Sequence, residues 1–290
     1  MNIIFTIDAE IGEYANTQKN AFETFFEGKI DGEEVGYKYI IDKLNLHGII
    51  GIFFVDVYLK EAILQNKIKK ACQYIVNNGH SVQLHTHPSM AFDYNKPYLN
   101  QYSFKEQKEI IKLGSKLIET WTGKYPVAHR AGAYAINDNS FSALEKNNIK
   151  YDFSYFFGNK NCKIESQKTN EIFKFNNVTE IPVTVSKIKR QYKIFNLPVF
   201  SRHKWVKLDI NAMTLEQIID TITKASDNSV LVFFMHSFSF VKYEVAVKKH
   251  FVETFCLDRV AIDKFNNLLN WIDLNKELKI ISISELKELV

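Results

Sequence analysis

Short apolar, β-rich runs alternate with stretches of helical periodicity along the whole chain, and this alternation constrains the fold more than any other feature. The runs lie at residues 3–8, 49–55, 81–85, 126–130, 178–183, 230–236 and 278–283. Most are continuously apolar, the pattern of strands covered on both faces in a parallel sheet. Between them, residues 60–78 put Ile63, Leu64, Ile68, Ala71, Cys72 and Ile75 on one helical face and stop at Gly79. Residues 103–122 repeat the scheme with Ile110, Leu113, Leu117 and Trp121 before Gly123. Thr214 and Gln217 form a capping box that opens another helix, and a long helix is expected over residues 253–275. About seven strand–helix units favour closure, so the expected fold is α/β, a distorted (β/α) barrel of about seven parallel strands. One domain is expected over residues 1–290, with the polar Asn/Lys-rich stretch 156–177 read as an insertion.

Composition narrows the function classes. With 46% hydrophobic residues in 290, the chain can bury a large core. Its net charge of +4 is too small for the molecule as a whole to act as a polyanion binder. Cys72, Cys162 and Cys256 are odd in number and far apart, which excludes a disulfide scaffold and a zinc ribbon. The first residues lack a basic, apolar leader, and no run of apolar residues is long enough to span a bilayer; a cytoplasmic address is expected.

In a parallel sheet, functional side chains gather at the carboxyl ends of the strands. The polar residues that end the apolar runs are Asp8 and Glu10, then His85 and His87, then Arg130, then His236. Asp8 and Glu10 share one side of an extended chain, so they require a cation or a shared proton unless the pair lies in a solvated loop. His85 and His87 also share a side, and Pro88 ends their run. Two such imidazoles form half a zinc site that a carboxylate and a water would complete; ordinary loop hydrogen bonding is the plainer alternative. Arg130 suits holding a carboxylate ionised, or a surface ion pair. His236 suits general-acid work. His80, at the opposite end of its run, and His129, on the opposite side from Arg130, read as structural.

Residues 187–207 carry Lys187, Lys189, Arg190, Lys193, Arg202, Lys204 and Lys207 with no acid, interleaved with Tyr192, Phe195, Phe200 and Trp205. Such a segment suits a phosphate-bearing substrate, with Arg202 and Trp205 as substrate-binding candidates, or a solvated basic face. No nucleic-acid-binding module is recognisable, and no nucleic-acid partner is expected.

In their order along the chain these residues resemble the polysaccharide deacetylases, carbohydrate esterase family 4. Thr6-Ile7-Asp8-Ala9 resembles the first family motif, Gly79-His80-Ser81 through His87 the second, Arg130 to Tyr134 the third, and Phe234-Met235-His236 the last. There are departures: Asp8-Ala9-Glu10 replaces adjacent aspartates, Ser89 stands where the second histidine usually lies, Ser237 replaces an acid, and Tyr134 falls one residue late. The pattern is similar to a divergent branch of deacetylases in bacterial surface-polysaccharide (lipopolysaccharide or capsule) synthesis. The resemblance implies a deacetylase-like barrel and Zn2+ or another divalent cation held by Glu10, His85 and His87. It implies Asp8 as base with Arg130 as its partner, His236 as acid and Tyr134 at the substrate, with Asp8 and Glu10 exchangeable. The substrate it implies is an N-acetylated sugar, phosphate-linked in the reading that uses residues 187–207. Three alternatives stand beside it: a hydrolase of a small non-sugar amide, a non-catalytic glycan-binding barrel, and a structural metal site closed by Asp8, Glu10, His85 and His87.

Overall fold

Strands β1 (Asn2–Ala9), β2 (Ile52–Asp56), β3 (Ser81–Thr86), β4 (Ala128–Ala131), β5 (Tyr151–Asp152), β6 (Phe173–Phe175), β7 (Val178–Glu180), β8 (Val185–Ile194), β9 (Leu197–Lys207), β10 (Val230–His236), β11 (Val241–Glu244), β12 (Thr254–Leu257) and β13 (Lys279–Ile280) organise the chain in a computed structural model. It describes residues 1–11, 20–164, 169–194, 197–227, 229–244 and 254–289. The main sheet runs β10-β1-β2-β3-β4-β5-β7-β6, with β13 added to β1. All its pairings are parallel except β6 with β7. The sheet curls, and the segment between β7 and β10 spans its open side. There the Val183 N–H donates to the Tyr155 carbonyl, the Leu208 N–H to the Thr184 carbonyl and the Phe234 N–H to the Leu208 carbonyl. The α/β barrel expected from the alternation is therefore present as a curled, mostly parallel half-barrel closed by a few backbone hydrogen bonds and an isolated bridge between Asp209 and Phe234.

Strand parity sorts the side chains. Ile4, Ile52, Phe54, Ala128, Phe153 and Val232 pack together inside the curl. Ile3, Phe5, Ile7, Phe53, Val55 and Phe233 face outward against the helices. The helices are α1 (Tyr37–Leu46), α2 (Ala62–Asn77), α3 (Phe104–Thr122), α4 (Asp138–Glu145), α5 (Leu215–Thr223) and α6 (Arg259–Leu274). Two buried faces per strand explain why the runs read as continuously apolar.

Helix ends follow local chemistry. Ser103 and Glu106 form a capping box on α3, which stops at Gly123 in the left-handed region (φ 73°). Thr214 and Gln217 do the same for α5. The long C-terminal helix is shorter than expected: Thr254–Leu257 pairs with Val241–Glu244 as a strand, and Asp258 caps α6 through the Ala261 N–H. Ile63 is exposed rather than buried, because it lies five residues before Ile68 and so about 140° around the helix. The stretch read as an insertion contains β6, and its residues 165–168 lie outside those described.

Candidate active site

Register brings the polar strand ends level. Asp8 lies opposite His236 on one side and Phe54 on the other; His85 lies between Asp56 and Arg130. Parity then turns Asp8, Arg130 and His85 inward, while His129 points outward to Asp152.

Arg130 is fully buried and uses every edge of its guanidinium. Nη1 donates to Asp8 Oδ1 (2.6 Å), Nη2 to Thr6 Oγ1 (3.0 Å) and Nε to the Phe153 carbonyl (3.1 Å). The rings of Phe54, Phe234 and Phe153 surround it at 4.4, 5.2 and 5.8 Å. A buried charge of this kind persists only when paired and fully hydrogen-bonded, and Asp8 completes the pair.

Glu10 lies just past β1, its N–H on Ser237 Oγ (3.4 Å), while the Ser237 hydroxyl donates to the Phe25 carbonyl (2.9 Å). Glu10 Oε2 is 2.7 Å from His87 Nε2 and 3.3 Å from His85 Nε2, and these three atoms form a cluster no wider than 4.8 Å. Oε2 is buried, yet no donor is directed at it. His85 Nδ1 sits 2.9 Å from the Arg130 carbonyl, which can only accept, so Nδ1 carries the proton and Nε2 presents its lone pair to the cluster. An unsatisfied carboxylate oxygen facing two imidazole Nε2 atoms is a donor set for a divalent cation, and the three residues fit one. Burial opposes the charge on Glu10, but His87 and His85 outweigh it and hold its carboxyl well below the usual range. Burial likewise opposes protonation of His87, whose pKa Glu10 nonetheless pushes up to about 9.

His236 Nε2 is 3.7 Å from Glu10 Oε1, with its ring stacked on Phe238 and edge-on to Phe234. Burial lowers its pKa, and the nearby Lys207 ammonium lowers it further. Ala133 and Tyr134 both adopt left-handed backbone (φ 52° and 59°), an uncommon conformation for residues with a Cβ. This turn buries the Tyr134 ring against Phe156 and Phe234. Lys207 donates to the Tyr134 hydroxyl at 3.0 Å, pairs with Asp209 at 2.9 Å and sits 3.5 Å over the Phe234 ring.

The structure thus brings together Asp8, Glu10, His85, His87, Arg130, His236 and Tyr134. Trp205 lies elsewhere: its ring packs on Phe157 and lines a cavity with Ser229, Val230 and Leu231, at the end of β10 opposite His236. The Arg202 side chain is outside what the structure describes. Sequence reasoning missed Asp56, which is buried, ends β2 level with His85 and accepts the Tyr58 N–H at 3.1 Å. Burial raises its pKa, with His87 and His85 pulling the other way. The run 49–55 followed by Asp56 carries the same signal as the other strand ends. The paired Lys207 and Asp209 gave none, since their proximity depends on closure of the barrel.

Residues 15–151 match the polysaccharide deacetylase family; this stretch holds His85, His87, Arg130 and Tyr134, while Asp8, Glu10 and His236 lie outside it. No curated protein matches the chain significantly. Among solved structures, the fold is similar to a Mycobacterium smegmatis protein assigned as a polysaccharide deacetylase (15% identity, 99% of this chain and 88% of that one, TM-score 0.62). It is also similar to Puue allantoinase (10% identity, 99% of this chain and 89% of that one, TM-score 0.58). The family match thus spans the second and third motifs, and the fold is the barrel of these solved structures.

Proposed function

We propose that this chain is a divalent-cation-dependent hydrolase that removes the N-acetyl group of an amino sugar. One observation carries the proposal: the buried, donor-less Glu10 Oε2 converges with His85 Nε2 and His87 Nε2 beside the ion-paired Asp8. Glu10, His85 and His87 would hold the cation, and Asp8, tied to Arg130, remains free to serve as base. A divalent cation there, zinc being the first candidate, supplies Lewis acidity toward water and a carbonyl oxygen.

The chain's own groups account for the proton movements. Arg130 occupies Asp8 Oδ1 and leaves Oδ2, 3.9 Å from His85 Nε2, to take a proton from the attacking water. His236, whose Nε2 lies 3.7 Å from Glu10 Oε1, donates to the leaving nitrogen, since an amide anion is too basic to depart unassisted. Its lowered pKa makes the imidazolium a stronger acid. Tyr134, with its hydroxyl accepting from Lys207, lies beside the site as the substrate-binding side chain. The match of residues 15–151 to the polysaccharide deacetylase family supports a carbohydrate acyl group as the target. The finer reading, a surface-polysaccharide intermediate handled in the cytoplasm, rests on the motif resemblance; a phosphate on that sugar would meet Lys207, the one described basic residue of 187–207 paired within the site. Among the described residues no helix is long and apolar enough to cross a membrane.

Acetate release from N-acetylglucosamine oligomers, with zinc supplied and simple acetamides assayed alongside, tests the reading. Turnover of the sugars supports it. Turnover confined to non-sugar amides would retain the hydrolytic site and remove the sugar, and no turnover by cation-loaded protein would contradict it.

A further inference from the structure

Four strands each give one polar side chain to a row on the outer face of the sheet: Thr86 from β3, His129 from β4, Asp152 from β5 and Glu180 from β7. His129 is level with Asp152, and Asp152 with Glu180. Their neighbours Ala128, Phe153 and Ile181 pack inside the curl, so parity turns these three outward. All four residues and Ser154 are buried, at 0–1% exposure. None takes part in the hydrolytic steps.

The polar atoms of the row pair off one by one. The Ser154 hydroxyl donates to Asp152 Oδ1 at 2.9 Å, and His129 Nδ1 lies 2.6 Å from the same oxygen. A carboxylate oxygen only accepts, so Nδ1 carries the proton and Nε2 accepts from the Thr86 hydroxyl at 3.0 Å. The Tyr155 N–H donates to Glu180 Oε1 at 2.8 Å. Asp152 Oδ2 and Glu180 Oε2 remain, both buried and without a donor. The two carboxyl groups are within hydrogen-bonding reach of each other. Two ionised carboxylates so placed would repel, and among the described residues no lysine or arginine pairs with either. A metal ion does not resolve this: both His129 nitrogens are engaged, and two oxygens are too few to hold one. One proton between Oδ2 and Oε2 satisfies both atoms.

We propose that Asp152 and Glu180 share a single proton, and that this pair positions the strand ends that carry the cation cluster. Ser154 Oγ, fixed by Asp152, accepts the Ala131 N–H at 2.8 Å, one residue before the Gly132 against which the His87 ring rests. Thr86, fixed by His129, stands between His85 and His87. Burial, and then the Asp152 charge, hold the Glu180 carboxyl well above the usual carboxylate range. Burial opposes the charge on Asp152 too, but His129, Glu180 and Ser154 outweigh it and lower its pKa, so the proton resides on Glu180. Two further titratable groups face the pair. Burial pushes the Cys162 thiol up to about 11 and raises the Tyr155 hydroxyl, so neither brings a charge at neutral pH. The shared proton stands apart from the deacetylase reading; the positioning role rests on the cation site of that reading.

Infrared difference spectra of the wild-type chain and Glu180→Gln at neutral pH test the proton directly. The wild type is expected to show the C=O stretch of a protonated carboxylic acid. Glu180→Gln, whose amide donates to Asp152 and accepts from Tyr155, is expected to lack it. No such band, or one that survives the substitution, overturns the shared proton. Above about pH 5 the unfolded chain ionises both carboxyls, while the folded state retains one proton. The wild type is therefore expected to lose stability relative to Glu180→Gln from about pH 5 to about pH 7, the ratio of their unfolding constants changing about tenfold per pH unit. A constant ratio contradicts the shared proton as well. For the positioning role, zinc affinity is expected to fall about tenfold in Glu180→Ala and to match the wild type in Glu180→Gln. Unchanged affinity in Glu180→Ala, or a loss in Glu180→Gln, overturns that role. A wild-type chain that binds no zinc contradicts the cation site and the positioning role with it, and leaves the band and the stability curve to decide the shared proton.

Discussion

Arg130 Nη1 donates to Asp8 Oδ1 at 2.6 Å inside a cage of three phenylalanine rings, with the guanidinium fully buried. The pair ties the strand that carries the proposed base to the strand beside the histidines. Removing one partner leaves the other buried and unpaired. Arg130→Met is expected to destabilise the protein by about 3–5 kcal/mol, measured by urea unfolding. A loss below about 1 kcal/mol would show that Asp8 finds another partner or reaches solvent.

Cation binding is expected to release a proton at neutral pH. Glu10 raises the His87 pKa to about 9, so the imidazole is protonated below that value and must lose its proton to become a ligand. Apparent affinity therefore rises about tenfold per pH unit until pH reaches about 9, then levels off. Calorimetry in two buffers of different ionisation enthalpy counts the proton. A pH-independent affinity between pH 6 and 8 would mean that His87 is already neutral or is not a ligand.

His236→Ala is expected to lower turnover by about 10²–10⁴-fold while leaving cation content unchanged. Its folded pKa lies below the ordinary value of 6.5, so the acid form is lost as pH rises through that lower value. At saturating cation, kcat/KM is expected to fall along a limb whose midpoint lies below 6.5. A limb above that value would assign the proton to a different group.

Gly132 carries the His87 ring against its α-carbon: an added Cβ would lie 2.4 Å from ring atoms. Gly132→Ala must therefore push the ring out of the cluster. Cation affinity is expected to fall about 10–100-fold with little change in thermal midpoint, read by competition with a chromogenic chelator. Unchanged affinity would show that His87 contributes little to holding the ion.

At the opposite end of β3, His80 Nδ1 accepts the Gly51 N–H at 2.9 Å, and burial lowers its pKa to about 4. The unfolded chain takes up the proton first, so this contribution to stability is intact above about pH 6.5 and is lost as pH falls toward 4. His80→Asn, which keeps an acceptor without a titrating ring, is expected to flatten that part of the stability–pH curve. An identical curve would place the acid sensitivity elsewhere.

The strands that carry the site were legible because each is apolar on both faces and ends in a residue that cannot be buried without a partner. Asp8, His85, Arg130 and His236 all stood out this way, and register alone brings them level. Asp56 obeyed the same rule and escaped only because its run was ended one residue early. The two-residue β5 was too short to show a period. The segment of β8 and β9 was read as a basic patch beside the substrate, because charge composition gives no direction; only the structure shows that Lys207 reaches Tyr134 while Trp205 lies at the end of β10 opposite His236. Lys207 and Asp209 were invisible as site residues because their place is set by closure of the barrel through Leu208 and Phe234.

The most direct test of the central claim is acetate release from an N-acetylglucosamine oligomer by chelator-stripped protein as zinc is titrated back. The account predicts no release from the stripped protein, recovery that saturates at one equivalent, and no recovery in Glu10→Ala, whose carboxylate oxygen joins the two histidines. Release that is indifferent to chelation, or stripped and Glu10→Ala proteins that turn over as fast as the reconstituted wild type, would contradict it.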